Sequence, residues 1–315
     1  MAILVDESTR VIVQGITGKE GARATAEMMR AGTHVVAGVR PGKAGEMVHG
    51  VPVFDTAADA LRAHPNANAS LIAVPAPAVR VAALEAIAAR IPLIVILTEH
   101  VPTRATAEVL AAARDAGVRI VGPSSVGILS VGRGKIGAIG SSEIADVFRP
   151  GRIGIISKSG GMTAEIAVAL RRGGFGVSTA VGIGGDVLIG SDFVDMLRCF
   201  QDDGETDAVV CFGEVGGCYE ELAAEYLATN AFTKPVVAVV AGRFTDQLPI
   251  GTTLGHAGAI VAKGRGSYTS KVTALRNAGV AIADRLEEIP ILLRKAFYER
   301  SRVKEEGLCP TFAKA

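Results

Sequence analysis

The sequence has no tryptophan, and aromatic residues make up only 4% of its 315 positions, a poor composition for a recognition module built on aromatic anchors. Charge of either sign is not in excess. Thirty-three Lys plus Arg stand against 32 Asp plus Glu, so no summed field exists to draw in nucleic acid or an anionic membrane, and any bound anion must be held locally. Cysteine is scarce. Cys199, Cys211, Cys218 and Cys309 follow neither the paired short spacing of a zinc site nor the density of a disulfide framework, so no metal site is expected and a reducing compartment is. Long apolar runs are missing too: Ile91 to Leu97 is far shorter than the roughly 18 residues of a spanning helix, and no basic-then-apolar leader opens the chain. These absences lead to the expectation of a soluble, cytoplasmic protein.

What is present is glycine, 38 residues of it, in a chain that is 49% hydrophobic and long enough for two compact domains. From Arg10 onward short β-branched runs alternate with Ala-rich amphipathic stretches. Val11 to Val13, Val35 to Ala37, Ser70 to Val74, Leu93 to Leu97 and Arg119 to Val121 read as strands; Gly21 to Ala31, Ala57 to Ala63, Ala78 to Ala89 and Ala105 to Ala116 read as helices. Gly122 to Gly151 interrupts this rhythm and reads as irregular. A second alternating unit follows, with candidate strands Arg152 to Ile156, Gly176 to Val181, Ala208 to Phe212, Pro235 to Val240 and Gly279 to Ala281. The expected class is α/β, with domains at 1–125 and 151–315 and an interdomain segment at 126–150. Ligands of such open sheets gather beyond the carboxyl ends of the strands.

The first glycine turn, Gly15-Ile16-Thr17-Gly18-Lys19-Glu20-Gly21, joins the first strand to the first helix, where backbone N–H groups and the helix dipole face any phosphate. Its Gly-x-x-Gly-x-x-Gly spacing differs from the dinucleotide fingerprint, and Gly38-Val39-Arg40 offers no acid for a ribose hydroxyl, which disfavours NAD. Instead Arg40-Pro41-Gly42-Lys43 places two cations in a rigid turn, and Val74-Pro75-Ala76-Pro77 forms an apolar shelf. A phosphate cradle beside an apolar shelf suits CoA. The competing reading is of ordinary strand-to-helix turns carrying solvated lysines.

In the second half, Ser157-Lys158-Ser159-Gly160-Gly161-Met162-Thr163 again puts backbone donors at a helix start, and Phe212-Gly213-Glu214-Val215-Gly216-Gly217 ends a strand on one acid among glycines. Gly255-His256-Ala257-Gly258-Ala259 holds a histidine among small residues. A neutral imidazole is nucleophilic near neutral pH, and a carboxylate on its other nitrogen fixes the tautomer; Glu214 is the candidate. A lone histidine in a glycine-rich loop is also compatible with a surface or core role, the role assigned to His34, His49, His64 and His100.

Taken in order, Ile3-Leu4-Val5-Asp6, Gln14-Gly15-Ile16-Thr17-Gly18, Pro41-Gly42-Lys43, Val74-Pro75-Ala76-Pro77, Thr98-Glu99, Gly122-Pro123, Val181-Gly182-Ile183-Gly184-Gly185-Asp186, Gly213 to Gly217 and Gly255 to Ala259 closely resemble the alpha subunit of the succinyl-CoA synthetase family, with its malate- and citrate-using members. The resemblance covers nearly the whole chain. It implies a Rossmann-like CoA-binding domain followed by a flavodoxin-like ligase domain, CoA contacts from Thr17, Gly18, Lys19, Glu20, Lys43, Val74, Pro75, Leu97, Thr98 and Glu99, and a phosphohistidine at His256 hydrogen-bonded by Glu214. Phosphate contacts would come from Ser157, Ser159, Gly160 and Gly161. It further implies an NDP-forming acid–CoA ligase that works through phosphohistidine and acyl phosphate, takes a di- or tricarboxylate, and requires an ATP-grasp beta subunit to bind ATP or GTP with Mg2+.

Three departures bear on the substrate. The succinate enzymes usually carry Ser-Gly-Thr-x-Thr-Tyr-Glu where this chain has Ser159 to Glu165, so Ala164 replaces a tyrosine that helps bind the acid, and a bulkier or hydroxylated acid becomes an alternative to succinate. Ser124-Ser125-Val126 stands where Asn-Cys-Pro is usual, and Leu248 to Leu254 replaces a basic segment. A non-catalytic CoA-binding protein is a second alternative, opposed by the retention of both His256 and Glu214.

Overall fold

The computed structural model describes residues 3–140, 144–247, 256, 258–259 and 266–305. The segment Leu248 to Leu254, the loop residues Gly255 and Ala257, and Cys309 lie outside the described residues. Among the described residues two seven-stranded sheets form, each with helices packed against it.

The first unit runs β1 (Arg10–Gln14), α1 (Lys19–Arg30), β2 (His34–Val39), β3 (Met47–Val48), β4 (Val51–Phe54), α2 (Ala57–Ala63), β5 (Ala69–Ile72), α3 (Ala76–Ala88), β6 (Leu93–Ile96), α4 (Thr103–Ala116) and β7 (Arg119–Val121). Its strand order is β3-β4-β2-β1-β5-β6-β7, parallel except for β3. The β-branched runs make the strands because both faces of a parallel sheet are covered, and β5 and β6 are buried at every residue. The pair β3 and β4 is absent from the sequence reading: β3 is two residues long and β4 contains Pro52, so neither shows a readable period.

The second unit runs β8 (Gly127–Ser130), β9 (Gly134–Gly137), α5 (Ile144–Val147), β10 (Pro150–Ser157), α6 (Gly160–Arg172), β11 (Val177–Gly182), α7 (Phe193–Asp202), β12 (Ala208–Glu214), α8 (Tyr219–Ala228), β13 (Val236–Ala241), α9 (Tyr268–Asn277), β14 (Ala281–Ile282) and α10 (Ile289–Glu305). The order is β14-β13-β12-β10-β11-β8-β9, with β8 and β9 antiparallel at one edge. The segment read as irregular therefore supplies a hairpin to this sheet. Both hairpin strands are four residues long and buried throughout, so they carry no alternation to read. Among the described residues no helix is long and apolar enough to cross a membrane.

The two units share one core: a single cluster joins Val13, Ile16 and Met28 to Ile128, Ile136, Ile156 and Val181. Polar contacts fix the same seam. Lys135 of β9 pairs with Glu27 of α1 at 3.3 Å, with side chains 0% and 6% exposed. Thr33 Oγ1 donates to the Lys135 carbonyl and accepts from its N–H, each at 2.8 Å. Across the other end Ser125 Oγ donates to the Gly182 carbonyl at 2.5 Å, and Ser191 Oγ to the Ile120 carbonyl at 2.7 Å.

Candidate active site

In the first sheet the chain leaves β1 for β2 on one side and returns to β5 on the other, so the switch point lies between β1 and β5. The carboxyl ends of β2, β1, β5 and β6 bring together Lys43, the Gly15 to Gly21 turn, Val74 with Pro75, and Leu97 to Glu99. Gly15 is held at φ 87, and a β-carbon there would meet the Ala73 carbonyl at 2.4 Å. Gly18 caps α1 without a side-chain acceptor, which leaves the first-turn amides at Lys19 and Glu20 to an external anion. Thr17 is half-buried; Gly18, Lys19 and Glu20 are exposed. Thr98 Oγ1 donates to the Val74 carbonyl at 2.7 Å and ties the two apolar turns together. Lys43 is exposed and pairs with Glu46 at 2.6 Å, a partner that a phosphate can replace. These features fit CoA: bare amides and a lysine for its phosphates, and a Val–Pro shelf for its apolar arm.

The second switch point is at β10, between β11 and β12. Glu214 ends β12, and its Oε2 lies 2.6 Å from Nδ1 of His256. The His256 side chain is 42% exposed and that of Glu214 only 12%. With the carboxylate ionised, Nδ1 carries the proton and Nε2 keeps its lone pair. The imidazole packs on Gly185, where a β-carbon would come within 2.7 Å of the ring, and Gly258 N–H donates to the Gly185 carbonyl at 3.1 Å. The Glu214 hydrogen bond raises the pKa of His256 above the ordinary 6.5, against partial burial and the Lys158 cation; Glu99, from the turn after β6, adds to the rise.

The turn before α6 is built from its own hydroxyls. Ser157 Oγ donates to the Ser159 carbonyl at 2.7 Å and accepts from its N–H at 3.1 Å, and Ser159 Oγ accepts from Met162 N–H at 3.4 Å. Ser157 is fully buried, and its side chain supports the turn from beneath. Gly160 has no room for a β-carbon, which would fall 2.1 Å from Val126 Cγ1, whereas Gly161 faces open space. Ala164 lies one turn further along α6, half-buried.

A set of buried charges beneath Glu214 went unread in the sequence. Lys158 Nζ lies 3.8 Å from Glu214 Oε1 and 3.4 Å from Glu220 Oε1, and Lys271 Nζ bonds Glu220 Oε2 and lies 3.0 Å from Glu221 Oε2. Burial alone would raise the Glu220 carboxyl, but Lys158 and Lys271 together hold it below the usual range. An acidic pair in the first turn of a helix after two glycines suggests only solvated charge in a sequence. The buried lysines just after β10 and on α9 that capture it are brought close by the fold.

Comparison with known proteins agrees with this geometry. Residues 6–100 match the CoA binding domain and residues 150–294 the succinyl-CoA ligase like flavodoxin domain. The chain is 46% identical over 293 residues to a succinate–CoA ligase [ADP-forming] subunit alpha 2 of Archaeoglobus fulgidus, covering 93% of this chain and 99% of that one. The chain belongs to the succinate–CoA ligase alpha-subunit family. Within the wider family it is also 40% identical, over 93% of this chain and 99% of the other, to the ADP-forming sulfoacetate-CoA ligase subunit SauD of Bilophila wadsworthia. Among solved structures, ATP citrate lyase from Methanothrix soehngenii, in complex with citrate and coenzyme A, superposes with a TM-score of 0.87 at 26% identity. That match covers 99% of this chain and 53% of the lyase chain, so the family fold here spans about half of the lyase. The two units are accordingly a Rossmann-like CoA-binding domain and a flavodoxin-like ligase domain.

Proposed function

We propose that this chain is the alpha subunit of an NDP-forming acid–CoA ligase, with His256 as its phosphoryl carrier. The observation that carries the reading is the 2.6 Å contact between His256 Nδ1 and Glu214 Oε2, which leaves Nε2 as an exposed nucleophile. In the first step Nε2 attacks the terminal phosphoryl group of a nucleoside triphosphate and the diphosphate leaves. An acid carboxylate then takes the phosphoryl group from Nε2, and the CoA thiol displaces phosphate from the acyl phosphate to give the thioester. The amides of Gly160 and Gly161 at the start of α6, with Ser159, are assigned to the phosphoryl oxygens. Thr17 to Glu20, Lys43, Val74, Pro75 and Leu97 to Glu99 are assigned to CoA.

The nucleotide and its Mg2+ are assigned to an ATP-grasp beta subunit, as the names of the relatives as alpha subunits suggest. Among the described residues no group of three His, Cys, Asp or Glu side chains is placed to hold a metal ion. Succinate is the acid by family. A substituted or sulfonated acid is the second reading, favoured by Ala164 in place of the family's tyrosine and by the sulfoacetate-CoA ligase relative. The test is intact-mass analysis of the chain co-expressed with its beta subunit and incubated with ATP or GTP and Mg2+. One phosphoryl group is expected, absent in His256→Ala and discharged by one acid of a panel plus CoA. No phosphorylation with either nucleotide would overturn the assignment.

A further inference from the structure

Five acidic and basic side chains alternate inward from His256: Glu214, Lys158, Glu220, Lys271 and Glu221. Their spacings are 3.8 Å from Lys158 to Glu214, 3.4 Å from Lys158 to Glu220 and 3.0 Å from Lys271 to Glu221, with Lys271 in direct contact with Glu220. The Lys158, Glu220 and Lys271 side chains are no more than 3% exposed. Buried charges of this kind are costly unless each is paired, so the arrangement calls for a role beyond stability.

We propose that Lys158 is a positioning residue that faces the Glu214–His256 pair as a fixed buried charge, and so sets the pH at which His256 gives up its proton. The proposal rests on the reading of His256 as phosphoryl carrier and identifies what tunes it.

Three further contacts fix Lys158 in this role. Its ammonium is 5.8 Å from the centre of the Tyr219 ring, and the Tyr219 hydroxyl donates to the Val187 carbonyl while accepting from Ile189 N–H, within two to four residues of the Gly185 on which His256 rests. Glu220 Oε1 accepts from the Glu214 backbone N–H at 3.0 Å, so the same carboxylate orients Lys158 and the end of β12. Gly213 makes this possible: a β-carbon there would lie 2.8 Å from Glu220 Oε1. Glu214 Oε1 itself is buried and has no hydrogen-bond partner among the described residues, and 3.8 Å is too long for one. Lys158 therefore acts on it as a charge.

The charged groups facing the pair are Lys158 from the turn after β10, Glu99 from the turn after β6, Glu220 and Glu221 from α8, Lys271 from α9 and Asp186 beside Gly185. Asp186 is already engaged with Val187 N–H at 3.2 Å and with Ser124 Oγ at 3.4 Å. Removal of the Lys158 cation raises the pH at which the pair loses its shared proton, whichever partner carries that proton.

The test is the pH titration of the five histidine Cε1–H signals by NMR in the full chain, with His256 identified by its loss in His256→Asn. Lys158→Gln keeps donors for both carboxylates and removes the charge. It is expected to raise the His256 midpoint by roughly one pH unit, and Lys158→Arg to leave it in place. In the complex with the beta subunit, the acid limb of phosphorylation moves with it. A residue that only supports packing lowers folded yield or rate without moving either midpoint, so an unchanged midpoint in folded Lys158→Gln overturns the proposal. If that variant does not fold, Lys158→Gln with Glu220→Gln removes one charge of each sign. Its midpoint shifts the same way, by less, because Lys158 is the group that acts on His256 more strongly; no shift there also overturns the proposal. Failure of the underlying reading shows separately, as absence of a phosphoryl adduct on the wild-type chain in the complex.

Discussion

Glu214→Gln tests the site most directly, because it removes one charge and changes almost nothing in volume. The hydrogen bond from Glu214 is the largest cause of the raised His256 pKa, so its loss lowers that pKa, with solvent screening part of the effect because the imidazole is 42% exposed. The sign follows from the raised pKa of His256: the neutral, nucleophilic ring is lost as pH falls through the elevated value, and in Glu214→Gln that acid limb moves down toward the ordinary 6.5. The rate above the limb falls as well. A glutamine amide can donate to Nδ1, which places the proton on Nε2 and removes the nucleophile; in a Ser-His-Asp triad the corresponding change costs roughly 10⁴-fold. The His256 ring is less enclosed, and a loss of at least about a hundredfold is expected. The assay is the initial rate of phosphoryl incorporation into the chain across a pH series, in complex with its beta subunit. A Glu214→Gln enzyme with the wild-type limb and rate would refute the argument.

Other perturbations separate the parts of the molecule. Gly160→Ala forces a methyl against Val126 at 2.1 Å and is expected to lower Tm and phosphorylation together, whereas Gly161→Ala meets no atom within 4 Å, so its stability should stay within about 0.5 kcal/mol of wild type while phosphorylation slows. Lys43→Ala gives up a charge-assisted contact and should weaken CoA binding by roughly tenfold or more in calorimetry, with a shallower salt dependence. Glu27→Ala removes a carboxylate that pairs with the buried Lys135 ammonium and is expected to lower stability in denaturant unfolding without altering the acid limb. Because the folded pKa of His256 is raised, the stabilising effect of its contact with Glu214 is complete below the ordinary histidine range and fades as pH rises through the elevated value. The Tm gap between wild type and His256→Asn should narrow accordingly above neutrality.

The sequence disclosed what is periodic or glycine-bound. α2 begins at Ala57 and ends at Ala63 as read, and the turns at Gly15 to Gly21 and Ser157 to Gly161 lie at helix starts because glycine at these places permits backbone that a side chain would block. The partnership of His256 with Glu214 was legible from residue type, since a carboxylate at a strand end among glycines needs a polar partner. The hairpin of β8 and β9 was hidden because four buried residues have no polar face to alternate with. The alternating charges behind Glu214 were hidden for a different reason. Lys158 and Lys271 are 113 positions apart in the chain and converge on Glu220 only because the fold brings the turn after β10 and helix α9 to the start of α8.

Separation of the first glycine turn, proposed to hold CoA, from His256, proposed to carry the phosphoryl group, sets a geometric problem, and the interdomain seam limits the answers. Closure of one sheet over the other would have to break the Ser125–Gly182 and Ser191–Ile120 hydrogen bonds, the paired bonds of Thr33 with Lys135, and a hydrophobic cluster common to both units. Rearrangement of a continuous close-packed core is costly, so hinge motion of the kind seen between loosely joined domains does not apply here. The turn after β6 is tied to the loop under His256: Ser124 N–H donates to the Thr98 carbonyl at 3.0 Å, and Ser124 Oγ donates to Asp186, next to Gly185, at 3.4 Å. In the proposed assignment the thiol end of CoA, extended along the Val74–Pro75 shelf and past Thr98, approaches the imidazole along this bridge within a fixed frame.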